Sequence, residues 1–258
     1  MTTSPLPPDE EQASQPRDVA YWAKQGSTFK VSYAPSGALN LNVDGRQGLS
    51  PLQGFGQMWQ KTYRIRLEGA NIQPTEVIKT WKENFPKFWP KGNRFYAPLT
   101  GIAPGEVALL NLSMAGGMAL STGVLVLYAD DESFTLMTPQ GHIFAGWITF
   151  SSYEEDGSTV AQAQVLIRAN DPVYEISFRL GGAKKEDTFW QYTLTALAEY
   201  FGVEAQVQTQ RICVDPKLQW SQAKNIWHNS AIRTTLYRVN TPVRWVGRAL
   251  RRKPETKN

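Results

Sequence analysis

The sequence predicts an α+β fold, an antiparallel sheet with a long amphipathic helix packed across one face. Three observations predict it. The chain has 258 residues, 41% of them apolar and 12% aromatic, enough to bury a sizeable core in one main domain. Between residues 105 and 180 a series of strand-like runs follows with links of only a few residues, whereas parallel neighbours would need crossovers of about a dozen. The stretch "EDTFWQYTLTALAEYFG" at 186–202 then carries a stripe of apolar residues at helical spacing, and such a stripe must be buried against another layer.

Taken in order, residues 1–20 are rich in Pro, Ser, Gln and acids and read as a disordered tail. Residues 21–54 form an irregular extension. From 58 onward Trp59, Lys61, Tyr63, Ile65 and Leu67 alternate with polar residues, the signature of a half-buried strand. In "PTEVIKTWKENFP", Pro74 suits the first helical position, Val77, Ile78, Trp81 and Phe85 lie at helical spacing, and Pro86 stops the run.

Strands are expected at roughly 105–113, 118–128, 132–138, 143–152, 159–169 and 172–180. Gly116-Gly117, Asp130-Asp131, Asp156-Gly157 and Asn170-Asp171 fall at the links, and Thr138-Pro139-Gln140-Gly141 suits a type I turn. The closing helix has Asp187 or Thr188 as its cap; Trp190, Leu194, Leu197 and Phe201 form its stripe, and Gly202 sits where a C-terminal cap belongs. Residues 203–258 form an extension. It holds a strand near 203–214, a helix opened by Asp215-Pro216, and a basic helix opened by Thr241-Pro242.

The net charge of +4 is unevenly spread. Residues 1–202 hold 16 Lys and Arg against 20 acids, and residues 203–258 hold 11 against 3. The sign change points to an anionic partner for the extension or to its docking on the acidic body. No apolar run is long enough to span a bilayer, and the N-terminus lacks a signal peptide's basic start and apolar stretch. A cytoplasmic protein is expected, with possible membrane association through the extension; one cysteine, Cys213, excludes an internal disulfide.

This order of elements resembles the START-like or helix-grip superfamily (SRPBCC), which includes lipid-transfer START domains, birch-type pollen allergens and polyketide cyclases. Within it the chain is similar to a bacterial family of uncharacterised function through "TPQGHIFAGWITF", where Thr138, Gly141, His142, Gly146 and Phe150 match a T-x-x-G-H-x-x-x-G-x-x-x-F pattern. Trp147 stands where that family has an acidic residue. The likeness spans about 55–202. It implies a sheet wrapped around the long helix, with an internal cavity for an apolar ligand.

Candidate ligand-binding residues are Trp59, Tyr63, Phe134, Tyr174, Phe178, Trp190, Leu194, Leu197 and Phe201, for which ordinary core packing is the competing reading. His142 and Asp171 should share one rim of the meander, where a His–Asp pair suits general-base chemistry; the competing reading is a turn histidine bonded to backbone. In "PVRWVGRALRRK", Val243, Val246, Ala249 and Leu250 lie on one side of a helix and Arg244, Arg248, Arg251 and Arg252 on the other, with Trp245 near the border. That pattern suits an anionic membrane surface, against a helix docked on its own domain.

Two histidines and one cysteine leave no usual metal set. "DDE" at 130 and "EED" at 154 read as solvated hairpin tips. No nucleotide loop, serine-hydrolase elbow or nucleic-acid module occurs, so neither a cofactor nor nucleic acid is expected. The expected function is non-catalytic binding of a hydrophobic small molecule or lipid. A cyclase-like or hydrolytic enzyme using His142 and Asp171, and a peripheral interaction protein without a pocket, are the alternatives.

Overall fold

Alternation around Tyr63 forms the strand β1 (Met58–Arg66), whose inward residues Tyr63 and Ile65 are buried. The computed structural model describes residues 19–24, 28–114 and 119–251, with 241–251 described by backbone alone. The Gly116-Gly117 link and all but the last two residues of the expected 1–20 tail lie outside the described residues. Helix α1 (Pro74–Asn84) begins with Pro74 in its first turn, buries Val77, Ile78 and Trp81, and passes at Phe85 into a 3-10 turn. Pro86 cannot donate the amide a continuing helix would need.

The meander follows as β2 (Arg94–Tyr96), β3 (Val107–Ser113), β4 (Ala119–Ala129), β5 (Ser133–Met137), β6 (Phe144–Glu155) and β7 (Ser158–Ala169). Helix α2 (Pro172–Ser177), a π-type turn (Phe178–Gly182) and helix α3 (Ala183–Tyr200) come next, then β8 (Gln208–Asp215), a 3-10 turn (Trp220–His228) and helix α4 (Ser230–Arg251). All eight strands form one antiparallel sheet in the order β2-β3-β4-β5-β6-β7-β1-β8. Strand β8 thus joins the same sheet as the meander, beside β1.

One face of the sheet is closed by α1 and α3, whose Trp81, Leu194 and Leu197 are fully buried in the main core. This is the helix-grip arrangement. At its end α3 is capped as the spacing predicts: Gly202 has φ 75°, its N–H donates to Glu199 O, and Val203 N–H donates to Ala198 O. Both bonds of a Schellman motif are present. A second, smaller core on the opposite face packs Phe29 and Val43 of the N-terminal extension on Val107, Leu109 and Leu125.

Four expectations are corrected. Residues 172–180 alternate like a strand but are helical: the Asp171 side chain accepts from Val173 and Tyr174 N–H, and Pro172 fills the first helical position. A cap outweighs a weak alternation when no free strand edge is nearby. The same Asp-Pro signature at 215 opens no helix directly: the Asp215 carboxylate accepts from the Lys217 amide and from Arg168, but helical turns begin only at Trp220. Helix α3 starts at Ala183 rather than at an Asp187 or Thr188 cap, and α4 runs through Thr241-Pro242 instead of beginning there.

The turn after β5 lies one residue later than its Pro/Gly spacing suggests. His142 N–H donates to Pro139 O, and Gly141, at φ 89°, occupies the position of a type II turn that needs a positive φ. The chain at 228–230 presses against this turn: a Cβ on Gly141 would lie 2.0 Å from His228 O. Gly141→Ala should therefore cost more than roughly 2 kcal/mol, strain and clash together. Gly157→Ala, at φ 73° with open space around it, should cost only the backbone strain of about 1 kcal/mol. Urea unfolding of both variants beside the wild type checks the difference.

Candidate functional site

The inward face of β1 carries a lysine among apolar neighbours. Lys61 is 2% exposed, and its ammonium lies 2.6 Å from Glu186 Oε2 and 3.0 Å from Asp187 Oδ1 in the first turns of α3. Asp187 Oδ1 also accepts from Tyr63 Oη at 2.7 Å, and Asp187 Oδ2 from Arg211 Nε on β8 at 2.9 Å. The Phe178 ring lies 4.9 Å from the Lys61 ammonium. One carboxylate oxygen in the cluster, Glu186 Oε1, is buried and unpartnered.

Local structure explains the gathering. Asp187, Trp190, Leu194, Leu197 and Phe201 recur at spacings of three and four, so Asp187 is the first member of the stripe that α3 turns toward the sheet. Carboxylates in the first turns also complement the positive end of the helix dipole. Lys61 takes the matching place on β1, where Tyr63 and Ile65 continue the inward set.

The two carboxylates differ. Burial raises the Glu186 carboxyl to about 7 despite the opposing charge of Lys61. At Asp187 burial also pushes upward, but hydrogen bonds from Tyr63 and Lys61 and the nearby cations outweigh it and hold the group below its ordinary range. Burial, with the neighbouring carboxylates, pushes the Tyr63 phenol up. Two carboxyls side by side thus titrate apart, one as a stable anion and one able to hold a proton near neutrality.

The structure places the residues expected to line a ligand site in three environments. Tyr63 and Phe178 lie at the Lys61 end, and Trp190 packs edge-on against Phe150. Phe134 stacks on Phe150 at 4.6 Å, within an aromatic group containing Trp81 and Phe85; Leu194 and Leu197 are fully buried, and Phe201 packs at the end of α3. Trp59 is half-buried. Tyr174 belongs elsewhere, since its hydroxyl accepts from Ala231 N–H at the start of α4. A cavity of about 100 Å³ lies at a rim, between the 70–74 loop and Glu154, Gly157 and Thr159.

His142 and Asp171 lie on one rim, as the meander implies, and each has its own work. His142 Nδ1 accepts from Phe144 N–H at 3.1 Å, which places the proton of the neutral ring on Nε2. Burial lowers its pKa to about 4. Asp171 caps α2 and accepts from Asn229 Nδ2 at 2.8 Å; burial raises its carboxyl. The two side chains do not hydrogen-bond one another.

What closes this rim is the extension. Gln219 N–H donates to Phe55 O, Asn225 Nδ2 to Gln53 O and Asn170 O, and Ser230 N–H to Gly141 O. Of the residues expected at a membrane surface, Arg244, Trp245, Arg248 and Arg251 lie on the helical backbone of α4, their side chains outside the described residues; Arg252 is wholly outside them. Among the described residues no group of three or more His, Cys, Asp and Glu could hold a metal ion. None of the described helices is long and apolar enough to cross a membrane.

Sequence reasoning did not name Lys61, Glu186, Asp187 or Arg211 as site residues, and it read Asp187 as a helix cap. The signal was present in Lys61, a cation inside the apolar set of an alternating strand. The raised Glu186 carboxyl gives a pH signature. Between about 4.5 and about 7 the folded state holds a proton that the unfolded state has released, so this group's stabilising contribution is full below 4.5 and is lost as pH rises to 7. His142 acts oppositely, its contribution being lost as pH falls from 6.5 toward 4. Glu186→Gln should remove the first slope and leave the second, so chemical denaturation at several pH values should show wild type losing stability relative to the variant as pH rises through that window.

No family model matches the sequence, and no curated protein matches it. Solved structures similar to it include a START superfamily protein from Mycobacterium smegmatis, at 20% identity over 57% of this chain and 98% of that chain, TM-score 0.36. The di-domain ARO/CYC StfQ from the steffimycin biosynthetic pathway is 11% identical over 57% of this chain and 53% of that one, TM-score 0.45. Ara h 8.0201 is 12% identical over 56% of this chain and 97% of that one, TM-score 0.39.

Proposed function

We propose that the domain binds a hydrophobic small molecule or lipid, without catalysis, between α3 and the sheet, and that the ligand's polar end is held by Lys61, Tyr63, Glu186 and Asp187. The observation that carries this reading is the buried ionic cluster itself. Ion pairs removed from water are often no more stabilising than apolar residues of the same volume, so stability alone is a weak reason to keep four polar side chains inside an apolar core. A few convergent polar groups in an apolar environment are what a small-molecule site requires. Glu186 Oε1, with no partner, is free to receive a ligand donor, and protonated Glu186 can itself donate.

Entry requires the cover to move. Directly before α3 the helical path breaks at Leu180 and at Gly181, whose φ is 114°. Leu180 is 82% exposed and Ile176, on the outer side of α2, 59% exposed. A joint with a glycine in a conformation other residues avoid is a natural hinge, and displacing the Phe178–Gly182 turn would take Phe178 off Lys61 and open the polar end of the core. The start of α2, with Asp171 and Tyr174, is tied down by the extension, so the movement is confined to the turn that follows it.

Native mass spectrometry of protein purified from its own host, compared with the same sample after denaturation, tests the reading. A discrete extra mass lost on denaturation is expected. Lys61→Met should reduce that occupancy several-fold, whereas His142→Ala, judged on protein verified as folded, should keep it. A bare polypeptide mass, together with no uptake of the amphipathic dye 8-anilinonaphthalene-1-sulfonate into folded protein, would overturn it.

A further inference from the structure

Helix α4 is anchored on one side and uncovered on the other. Ser230 and Thr234 are fully buried against the domain, and Thr234 Oγ1 accepts from Asn42 Nδ2 at 3.1 Å and from Ser121 N–H at 3.3 Å. Ile232, Leu236 and Val239 occupy the side facing away from these anchors and are 43%, 57% and 65% exposed. Their spacing of four and three continues in the sequence through Val243, Val246 and Leu250, along a helical backbone that runs to Arg251. Just before the helix, Trp227 is 80% exposed.

Charge decides between the occupants such a stripe would suit. Apolar residues alternating at three and four would pair with a second copy of the helix. Residues 230–251, however, hold Arg233, Arg238, Arg244, Arg248 and Arg251 and no acidic residue, so two copies would bring arginines together with nothing to answer them. An anionic bilayer surface supplies both an apolar layer for the stripe and phosphates for the arginines beyond Arg233, which donates to Asn42 Oδ1 on the domain. The geometry points to α4 as an in-plane membrane anchor: Ile232, Leu236 and Val239 enter the boundary of an anionic lipid surface, and Ser230, Thr234 and Asn42 fix the sheet domain to the helix. This attachment is independent of any ligand beneath α3.

The test is co-sedimentation of the full chain with vesicles of phosphatidylcholine containing about 30% phosphatidylglycerol, beside vesicles of phosphatidylcholine alone, at about 0.05 M and about 0.5 M salt. Partition to the anionic vesicles is expected, falling at the higher salt. The triple variant Ile232→Ser, Leu236→Ser, Val239→Ser, verified as folded by its circular dichroism and melting temperature, should partition at least about tenfold more weakly, because three apolar side chains no longer leave water. Arg238→Glu, a second surface change, should weaken binding to the anionic vesicles alone. Failure of the wild type to partition, equal partition by the triple variant, or equal binding to both vesicle types would overturn the proposal. So would a wild-type dimer in sedimentation equilibrium that the triple variant dissolves, since a second copy would then own the stripe.

Discussion

The structure depends on one helix lying across one curled sheet. Helix α3 runs over the inward face of the strands, and its second half meets that face with Leu194, Leu197 and Ala198, all fully buried. Each such leucine contributes about 1.5–3 kcal/mol relative to exposure. Its first half meets the same face with Glu186 and Asp187, and there β1 answers with Lys61 and Tyr63. One helix is therefore held by two kinds of contact, apolar packing toward its C-terminus and buried charge toward its N-terminus. The charged end adjoins the break at Gly181. Apolar contact tolerates small slides, whereas a buried ion pair tolerates little separation without water. The first turns of α3 are thus held to one close arrangement, paired and dry.

Much of this was legible in the sequence, and the reason differs by element. The meander was readable because short links between apolar runs leave few topologies, and Asp156-Gly157 fixes its hairpin with two positive φ values. The stripe of α3 and its Gly202 cap were readable because both are local. Residues 172–180 were not, since alternation and an Asp-Pro cap compete over so short a span and tertiary contacts decide. Asp171-Pro172 opens a helix with Asn229 as the aspartate's second partner, while Asp215-Pro216, its carboxylate shared with Arg168, opens none directly. The buried cluster was half visible: Lys61 and Asp187 each stand in an apolar periodic set, yet nothing local says that the two sets face one another.

The residues shared with the T-x-x-G-H-x-x-x-G-x-x-x-F pattern have architectural work. Thr138 Oγ1 donates to Gly146 O and accepts from Gly146 N–H, locking the bend where β6 leaves β5. Gly146, at φ 143°, passes so close to β7 that a Cβ would meet Leu166 O at 2.1 Å. Gly141 makes room for the chain at 228–230, and Phe150 stacks in the core. His142 accepts a backbone amide and stays neutral. A motif can thus be demanding of residue type because backbone approaches closely, with no reaction to explain it.

The extension turns that rim from surface into interior. Asn170, Asp171 and Tyr174 would face water without residues 219–231; with them, the Asn170 oxygens meet Asn225, the Asp171 carboxylate meets Asn229, and the Tyr174 hydroxyl meets the Ala231 amide. Buried polar groups lost from such pairing cost roughly 1–3 kcal/mol each, so the extension and the rim hold one another in place. The same contacts set the direction in which α4 leaves the domain, because its first residues, Ser230 and Thr234, are among those buried. The rim under the extension is thereby fixed together with the start of α2, and it carries the outgoing helix.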